Sequence, residues 1–334
     1  MKLRNQVFIF LLVGGYTRIL AVPGLEKSWQ AIHPGTEITC TSCHNSNFLF
    51  PPSNNNATPE GKAKYQEILT HRKGGMTLTS KITPLKKIDF AVFGDSRSDL
   101  ETNRKIVNQI IKDSPEAVFH TGDMVANGDM ESQWNDVFPI YETFYAKKNL
   151  YHACGNHEES HCTKNVVRKA LENEKAFYTV DFKGFTFIAL DSNQITAEQL
   201  RWLSHLPNGK RYIPFFHHPP FPVLAGHNGN EGVIKNFVPQ FKRLGVKLVF
   251  LGHNHGYDRN VIDGITYITT GGGGAPLYPC GAVRGPQQAC VSDYHYLRCG
   301  AEKDRIECQT KLIDGSLVDS VTVAWDSVIK SSSK

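Results

Sequence analysis

Short apolar runs alternate with amphipathic segments along most of the chain, which predicts strands and helices in turn. From Lys86 the pattern gives strand 88–93, helix 101–112, strand 117–120, helix 131–146 and strand 150–153. It continues with strands 177–182 and 185–190, helix 197–205, strand 212–216, helix 231–244 and strand 246–251. The last part is β-rich, with strands 265–269, 294–298, 305–312 and 318–325. This alternation predicts an α/β sandwich.

A polar motif follows five of these predicted strands. The motifs are Gly94-Asp95-Ser96-Arg97, Gly122-Asp123-Met124-Val125-Ala126-Asn127-Gly128, Gly155-Asn156-His157-Glu158, His217-His218-Pro219-Pro220 and Gly252-His253-Asn254-His255. Open α/β sheets place their sites at the carboxyl ends of strands, so we expect these side chains to converge. Carboxylate, amide and imidazole ligands together suit two hard or borderline metals that share a carboxylate. A lone Gly-Asp after a strand is more often a turn, and a lone histidine there is more often a hydrogen-bonded residue, the class to which His120, His152 and His205 are assigned. The joint pattern of the motifs favours a metal site.

These motifs, taken in order, resemble the calcineurin-like metallophosphoesterase family over roughly residues 86–325. The continuation of the last motif through Gly256-Tyr257-Asp258-Arg259 is most similar to the purple acid phosphatase branch. The resemblance implies a four-layer αββα sandwich. It also implies a hydrolase that cleaves small phosphorylated substrates by attack of a metal-bridging hydroxide.

The resemblance assigns a role to each site residue by its position in a motif. It implies two divalent or trivalent metal ions, which would be iron, manganese or zinc. The first ion would be held by Asp95 and His255, the second by Asn156, His217 and His253, and Asp123 would bridge the two. An anion between two cations offsets their repulsion. His157 would be the general acid that protonates the leaving group.

The chain departs from the family pattern at two positions. Most family members carry histidine where this chain has Arg97, and purple acid phosphatases carry tyrosine where it has Ala126. Neither extra ligand for the first metal is therefore present. Arg97 is permanently cationic and cannot ligate, so it is a candidate catalytic residue whose fork would bind a phosphate oxygen. The alternative is a structural salt bridge to Asp123 or a neighbour.

Composition and the N-terminus bear on location. The net charge is +5 without a long basic run, so no nucleic-acid footprint is indicated. Residues 1–21 resemble a secretory signal: Lys2 and Arg4 precede a short apolar run, 7–13, that is too short to span a membrane. The sequence thus predicts a secreted or periplasmic protein with no membrane anchor after cleavage. It leaves the substrate and the oligomeric state open.

Residues 22–80 are predicted as a small irregular or helical appendage to the 86–325 domain. Cys40-Thr41-Ser42-Cys43-His44 matches the c-type haem attachment signature, in which two thioethers hold the porphyrin and His44 ligates the iron. Covalent haem c would give an alternative function, a redox protein with a phosphoesterase-like sensor or binding domain. The competing interpretation is a small disulfide with a chance histidine.

The other six cysteines are predicted to pair with sequence neighbours, as Cys154–Cys162, Cys280–Cys290 and Cys299–Cys308. Six cysteines allow fifteen pairings, so this choice is a hypothesis. An even total of eight cysteines agrees with an oxidising compartment.

Overall fold

The computed structural model describes residues 8–13, 16–21, 82–158, 161–167, 175–285 and 287–325. Phe8–Val13 (β1) and Tyr16–Ala21 (β2) pair antiparallel as a two-stranded sheet. The segment 22–80, with Cys40, Cys43 and His44, lies outside the described residues.

The remaining described strands form two mixed sheets. The first has six strands: β3 (Phe90–Phe93), β4 (Ala117–His120), β5 (Leu150–His152), β13 (His295–Ala301), β14 (Arg305–Leu312) and β15 (Leu317–Ala324). The second has seven: β6 (Tyr178–Phe182), β7 (Phe185–Ala189), β8 (Tyr212–Phe215), β9 (Leu248–Leu251), β10 (Tyr257–Ile262), β11 (Ile265–Thr270) and β12 (Ala289–Val291). Their orders are β15-β14-β13-β3-β4-β5 and β12-β10-β11-β9-β8-β7-β6.

Five α-helices and one π-helical turn connect the described strands. They are α1 (Leu100–Asp113), α2 (Glu131–Lys147), the π-helix Thr163–Val167, α3 (Ala197–Ser204), α4 (Glu231–Asn236) and α5 (Val238–Arg243). Helix α1 begins where the Asp99 side chain accepts the backbone N–H groups of Glu101 and Thr102, an N-cap that satisfies two unpaired donors. None of the described helices combines the length and apolar character needed to cross a membrane.

Aromatic side chains fill the space between the two sheets. Phe119 of β4 stacks on Phe187 of β7 with ring centroids 4.0 Å apart, and Phe90 of β3 meets Phe187 and Phe250 edge-on at 5.3 and 6.1 Å. Helices α1 and α2 cover the outer face of the first sheet through a cluster that includes Ile106. Helices α3 to α5 cover the second sheet through a separate cluster. The predicted four-layer αββα sandwich is thus confirmed.

Three features of the second sheet differ from the sequence prediction, and one of them is the three-residue strand β12, which was not predicted. The single helix predicted at 231–244 is divided at Phe237, because Pro239 lies in the first turn of α5 and has no backbone N–H to continue α4. Strand β10 was not predicted, because Asp258 and Asn260 interrupt its apolar pattern, although both side chains are buried.

Candidate metal centre

All the predicted metal ligands meet at the carboxyl ends of neighbouring strands. β3, β4 and β5 are parallel neighbours, as are β8 and β9 in the facing sheet, so their following loops share one edge of the sandwich. These loops carry Asp95 after β3, Asp123 after β4, Asn156 and His157 after β5, His217 after β8, and His253 and His255 after β9. The site is therefore assembled from both sheets.

The backbone of these loops is tightly constrained. Asp95, Asp123 and His253 have φ values of 53°, 61° and 68°, in the left-handed region that few non-glycine residues adopt. Gly155 is required by close approach, since a Cβ there would lie 2.1 Å from Asp123 Oδ1. Such conformations persist where the surrounding structure fixes them, and they concentrate at functional sites.

Four side chains converge at the position predicted for the second metal: Asp123, Asn156, His217 and His253. His217 donates from Nδ1 to the Thr121 carbonyl at 2.9 Å, so its Nε2 faces the other three. That nitrogen is 3.1 Å from Asn156 Oδ1, 3.2 Å from His253 Nδ1 and 3.5 Å from Asp123 Oδ1. Ligands bound to one ion at about 2.1 Å lie roughly 3.0–3.4 Å apart. Two of these three distances fall in that range and the third is just above it, so the donors are compatible with a shared metal ion.

The electrostatics of this group also favour a cation. Burial acts to lower the pKa of His217, but the charge and hydrogen bond of Asp123, the charge of Asp95 and the hydrogen bond to Thr121 together raise that pKa to about 9. Burial would raise the pKa of Asp123, yet the charge of His217 and several hydrogen bonds hold it well below its usual range. Burial lowers the pKa of His253 to about 2, with a further contribution from His217. Asp123 is therefore ionised and His253 neutral, as metal ligands must be, whereas His217 would release its proton when a metal ion binds.

The position predicted for the first metal contains a different set of contacts. His255 donates from Nδ1 to the Pro276 carbonyl at 2.7 Å, and its Nε2 lies 3.6 Å from Asp95 Oδ1. Arg97 contacts both Asp123 and His255. Its Nε is 3.3 Å from Asp123 Oδ2, and its Nη2 is 3.3 Å from His255 Nε2. Of the two alternatives left open for Arg97, the structure shows the salt bridge to Asp123.

His157 stands at the edge of the ligand group without joining it. Its backbone N–H donates to Asp123 Oδ1 at 3.0 Å, and its Nδ1 donates to the Ala126 carbonyl at 2.7 Å. The remaining nitrogen, Nε2, is 3.8 Å from Asp123 Oδ2, and the side chain is 32% exposed. A cleft of about 320 Å³ opens beside it. His157 is thus placed to exchange a proton with a group in the cleft.

Sequence reasoning missed Glu158, although it belongs to a quoted motif. Its fully buried carboxylate accepts the backbone N–H groups of Asp123, Met124 and Gly155 at 3.0, 2.6 and 2.6 Å. His152 lies 3.1 Å away on the same carboxylate. Glu158 therefore ties the loop after β4 to the loop after β5. The only sequence feature that pointed to Glu158 was its position directly after His157, the predicted general acid.

Two aromatic contacts beside the ligands were also missed. The His227 ring stacks on His253 with centroids 4.1 Å apart, and Tyr278 stacks on His255 at 4.3 Å. The Nε2 of His227 and the Tyr278 hydroxyl are 3.2 Å apart. His227 lies in the loop after β8 and Tyr278 in the loop after β11, both outside the predicted motifs, so no local pattern identified them. They form a wall of rings beside the site.

Three other histidines were predicted to be hydrogen-bonded residues outside the metal group. His120 Nε2 lies 2.9 Å from Ser96 Oγ, His152 contacts Glu158, and His205 lies at the end of α3 with its Nδ1 near the Arg201 carbonyl. That prediction is confirmed.

The three predicted disulfides are present. Cys154–Cys162, Cys280–Cys290 and Cys299–Cys308 have Cα–Cα distances of 5.6, 5.8 and 4.2 Å. The first closes a loop around Asn156 and His157, beside the ligand group. Disulfides are compatible with an extracellular location.

Comparison with known proteins agrees with this geometry. The profile of the calcineurin-like phosphoesterase family matches residues 88–257, half of the chain. The chain belongs to the calcineurin-like phosphoesterase family. It is 23% identical to purple acid phosphatase 5 of Arabidopsis thaliana over 225 residues, which cover 58% of this chain and 55% of that protein.

Solved structures show the same fold. Purple acid phosphatase PPD1 from yellow lupin (Lupinus luteus) seeds matches with a TM-score of 0.58 and 18% identity, covering 70% of this chain and 53% of that one. GAP50, the anchor in the inner membrane complex of Plasmodium, matches with a TM-score of 0.53 and 14% identity, covering 71% and 89%. The chain spans about half the length of each plant phosphatase that it matches.

Proposed function

We propose that this protein is an exported, metal-dependent hydrolase of small phosphate esters, acting at the site described above. The observation that carries the proposal is the convergence of Asp123, Asn156, His217 and His253, whose donor atoms are spaced as ligands of one ion. A metal ion held there would polarise the phosphoryl group and lower the pKa of water to near neutral.

The residues of the chain divide the remaining work. Asp123 supplies negative charge at the centre of the ligand group, and Glu158 fixes the backbone of its loop. His157 donates from Nδ1 to the Ala126 carbonyl, which fixes its ring so that Nε2 carries the exchangeable proton. As the bond from phosphorus to the ester oxygen breaks, we assign His157 the delivery of a proton to that leaving oxygen. The new bond joins phosphorus to the oxygen of a water that has lost a proton to solvent.

The proposed location is secreted or periplasmic. It rests on the signal-like residues 1–21 and on three disulfides, one of which adjoins the site. Such bonds persist in oxidising compartments.

The test is turnover of an aryl phosphate by protein stripped with a chelator and then supplied with Mn²⁺ or Zn²⁺. We expect activity to disappear on stripping and to return with metal. Equal turnover before and after stripping would contradict a metal-dependent reaction, and no turnover of monoesters or diesters with any added metal would contradict hydrolysis.

A further inference from the structure

We propose that the Arg97 guanidinium is a fixed cation at the position of the family's first metal, so that this centre takes one metal ion instead of two. This inference rests on the metal centre of the proposed function. The single ion would be held by Asp123, Asn156, His217 and His253.

The lone pairs that would bind a first metal are already used by Arg97. His255 donates from Nδ1 to the Pro276 carbonyl, so its Nε2 carries the lone pair, and Arg97 Nη2 lies 3.3 Å from it. One carboxylate oxygen of Asp123 faces the site of the proposed metal ion, and the other faces the position of the family's first metal. Oδ1 lies 3.5 Å from His217 Nε2, whereas Oδ2 accepts Arg97 Nε at 3.3 Å. Arg97 thus occupies two of the three ligands predicted for the first metal.

Arg97 is held firmly in this place. Its backbone N–H donates to the Asp123 carbonyl at 3.2 Å, and its Nη1 donates to Ser98 Oγ at 3.2 Å. Its side chain is 15% exposed. Backbone and side chain therefore both fix the guanidinium to the loop that carries Asp123.

A second metal ion would bind unfavourably beside the Arg97 guanidinium. The guanidinium is always charged, so an ion placed among Asp95, Asp123 and His255 would be repelled at short range. Ala126 offers only a methyl group where a further ligand would be needed. One divalent ion and one guanidinium instead supply three positive charges against the two carboxylates. Three of the five guanidinium N–H groups are used in these contacts, so two would be available to donate to a phosphoryl oxygen.

Metal stoichiometry tests this directly. Full-length protein stripped with a chelator is titrated with Zn²⁺ by calorimetry, and bound zinc is counted after desalting. Arg97→His removes the cation and supplies an imidazole. We expect this variant to bind one more ion per chain than the wild type. Arg284→His, at an exposed position, is the matched control and should leave the count unchanged.

A second measurement does not depend on the variant folding. Wild-type protein loaded with Mn²⁺ and then desalted to remove unbound ion should give the six-line electron paramagnetic resonance spectrum of isolated ions. An exchange-coupled Mn²⁺ pair in the wild type, or equal ion counts for the wild type and a folded Arg97→His protein, would overturn the inference. The absence of any bound ion from both proteins would instead contradict the metal centre of the proposed function.

Discussion

The Glu158 carboxylate accepts the backbone N–H of Asp123 at 3.0 Å, although the two residues are 35 positions apart in the sequence and belong to different loops. The same carboxylate accepts Met124 and Gly155. On the Asp123 loop, the Glu158 carboxylate binds backbone N–H groups, so the Asp123 side chain remains available for the metal group. Glu158 is thus a positioning residue for the central ligand.

Glu158→Gln should destabilise the protein and weaken its metal binding. The amide keeps one oxygen but turns an NH₂ group toward backbone donors, which leaves a buried N–H unpaired at a cost of about 1–3 kcal/mol. Urea unfolding and zinc titration measure the two effects. Glu142→Gln, on an exposed face of α2, is the control and should change neither. Wild-type stability in Glu158→Gln would show that its hydrogen bonds do not hold the loops.

His157→Ala should lower kcat by about 10²–10⁴ while the metal content stays constant, which is the usual range for a general acid. The loss should be smaller for nitrophenyl phosphate than for an alkyl phosphate, because a good leaving group needs little protonation. His205→Ala, an exposed histidine at the end of α3, serves as control. An equal loss with both substrates would argue against proton delivery by His157.

His295 should make the unfolding free energy depend on pH. Its ring is fully buried between the Asp293 carbonyl and Thr270, and burial lowers its pKa to about 4. In the unfolded chain the value is near 6.5, so between pH 6.5 and 4 only the unfolded state gains this proton. Stability from this group is therefore complete above pH 6.5 and falls as the pH is lowered.

The pH effect is measured by urea unfolding of chelator-stripped protein at pH 7 and pH 4.5. Between pH 7 and pH 4.5 the free energy of unfolding of the wild type should fall by about 2 kcal/mol more than that of His295→Gln, because the variant has no imidazole at this position to titrate. The subtraction removes contributions that the two proteins share. Identical losses would show that His295 is protonated as readily in the folded protein as in the unfolded one.

The haem and disulfide interpretations of Cys40 and Cys43 predict different haem staining on a denaturing gel. Covalent haem resists denaturation, so protein exported from a host that attaches c-type haem would retain haem staining on a denaturing gel. Replacing both cysteines by serine would remove the stain and leave phosphoesterase turnover largely intact, because the predicted ligands begin at Asp95. A stain-free wild-type band would exclude haem and favour the disulfide.

The sandwich and the convergence of the motif side chains were predictable because their signals are local. Each apolar run forms a strand, and the polar residue that follows it marks the loop, as at Asp95 and Asp123. The three disulfides join cysteines close in sequence, which made neighbour pairing the right choice.

The features that sequence reasoning missed depend on contacts between loops that are distant in sequence. The role of Glu158 becomes visible only when the fold places Asp123 and Met124 within hydrogen-bond distance of its carboxylate. The stacking of His227 on His253 joins positions with no common pattern. Arg97 could have paired with substrate or with protein, and only the folded site shows the contact to Asp123. Strand β10 was hidden because its buried polar residue Asp258 accepts backbone donors at Val223 and Leu224.

The central claim is that Asp123 anchors a catalytic metal, and Asp123→Asn tests it most directly. Asp263→Asn is the matched control, since both residues have positive φ, which asparagine tolerates, but Asp263 is exposed. Metal content by elemental analysis and turnover of an aryl phosphate are measured on the same samples. The account predicts that Asp123→Asn loses both bound metal and activity while Asp263→Asn keeps both. Metal content and turnover near wild type in Asp123→Asn would contradict it.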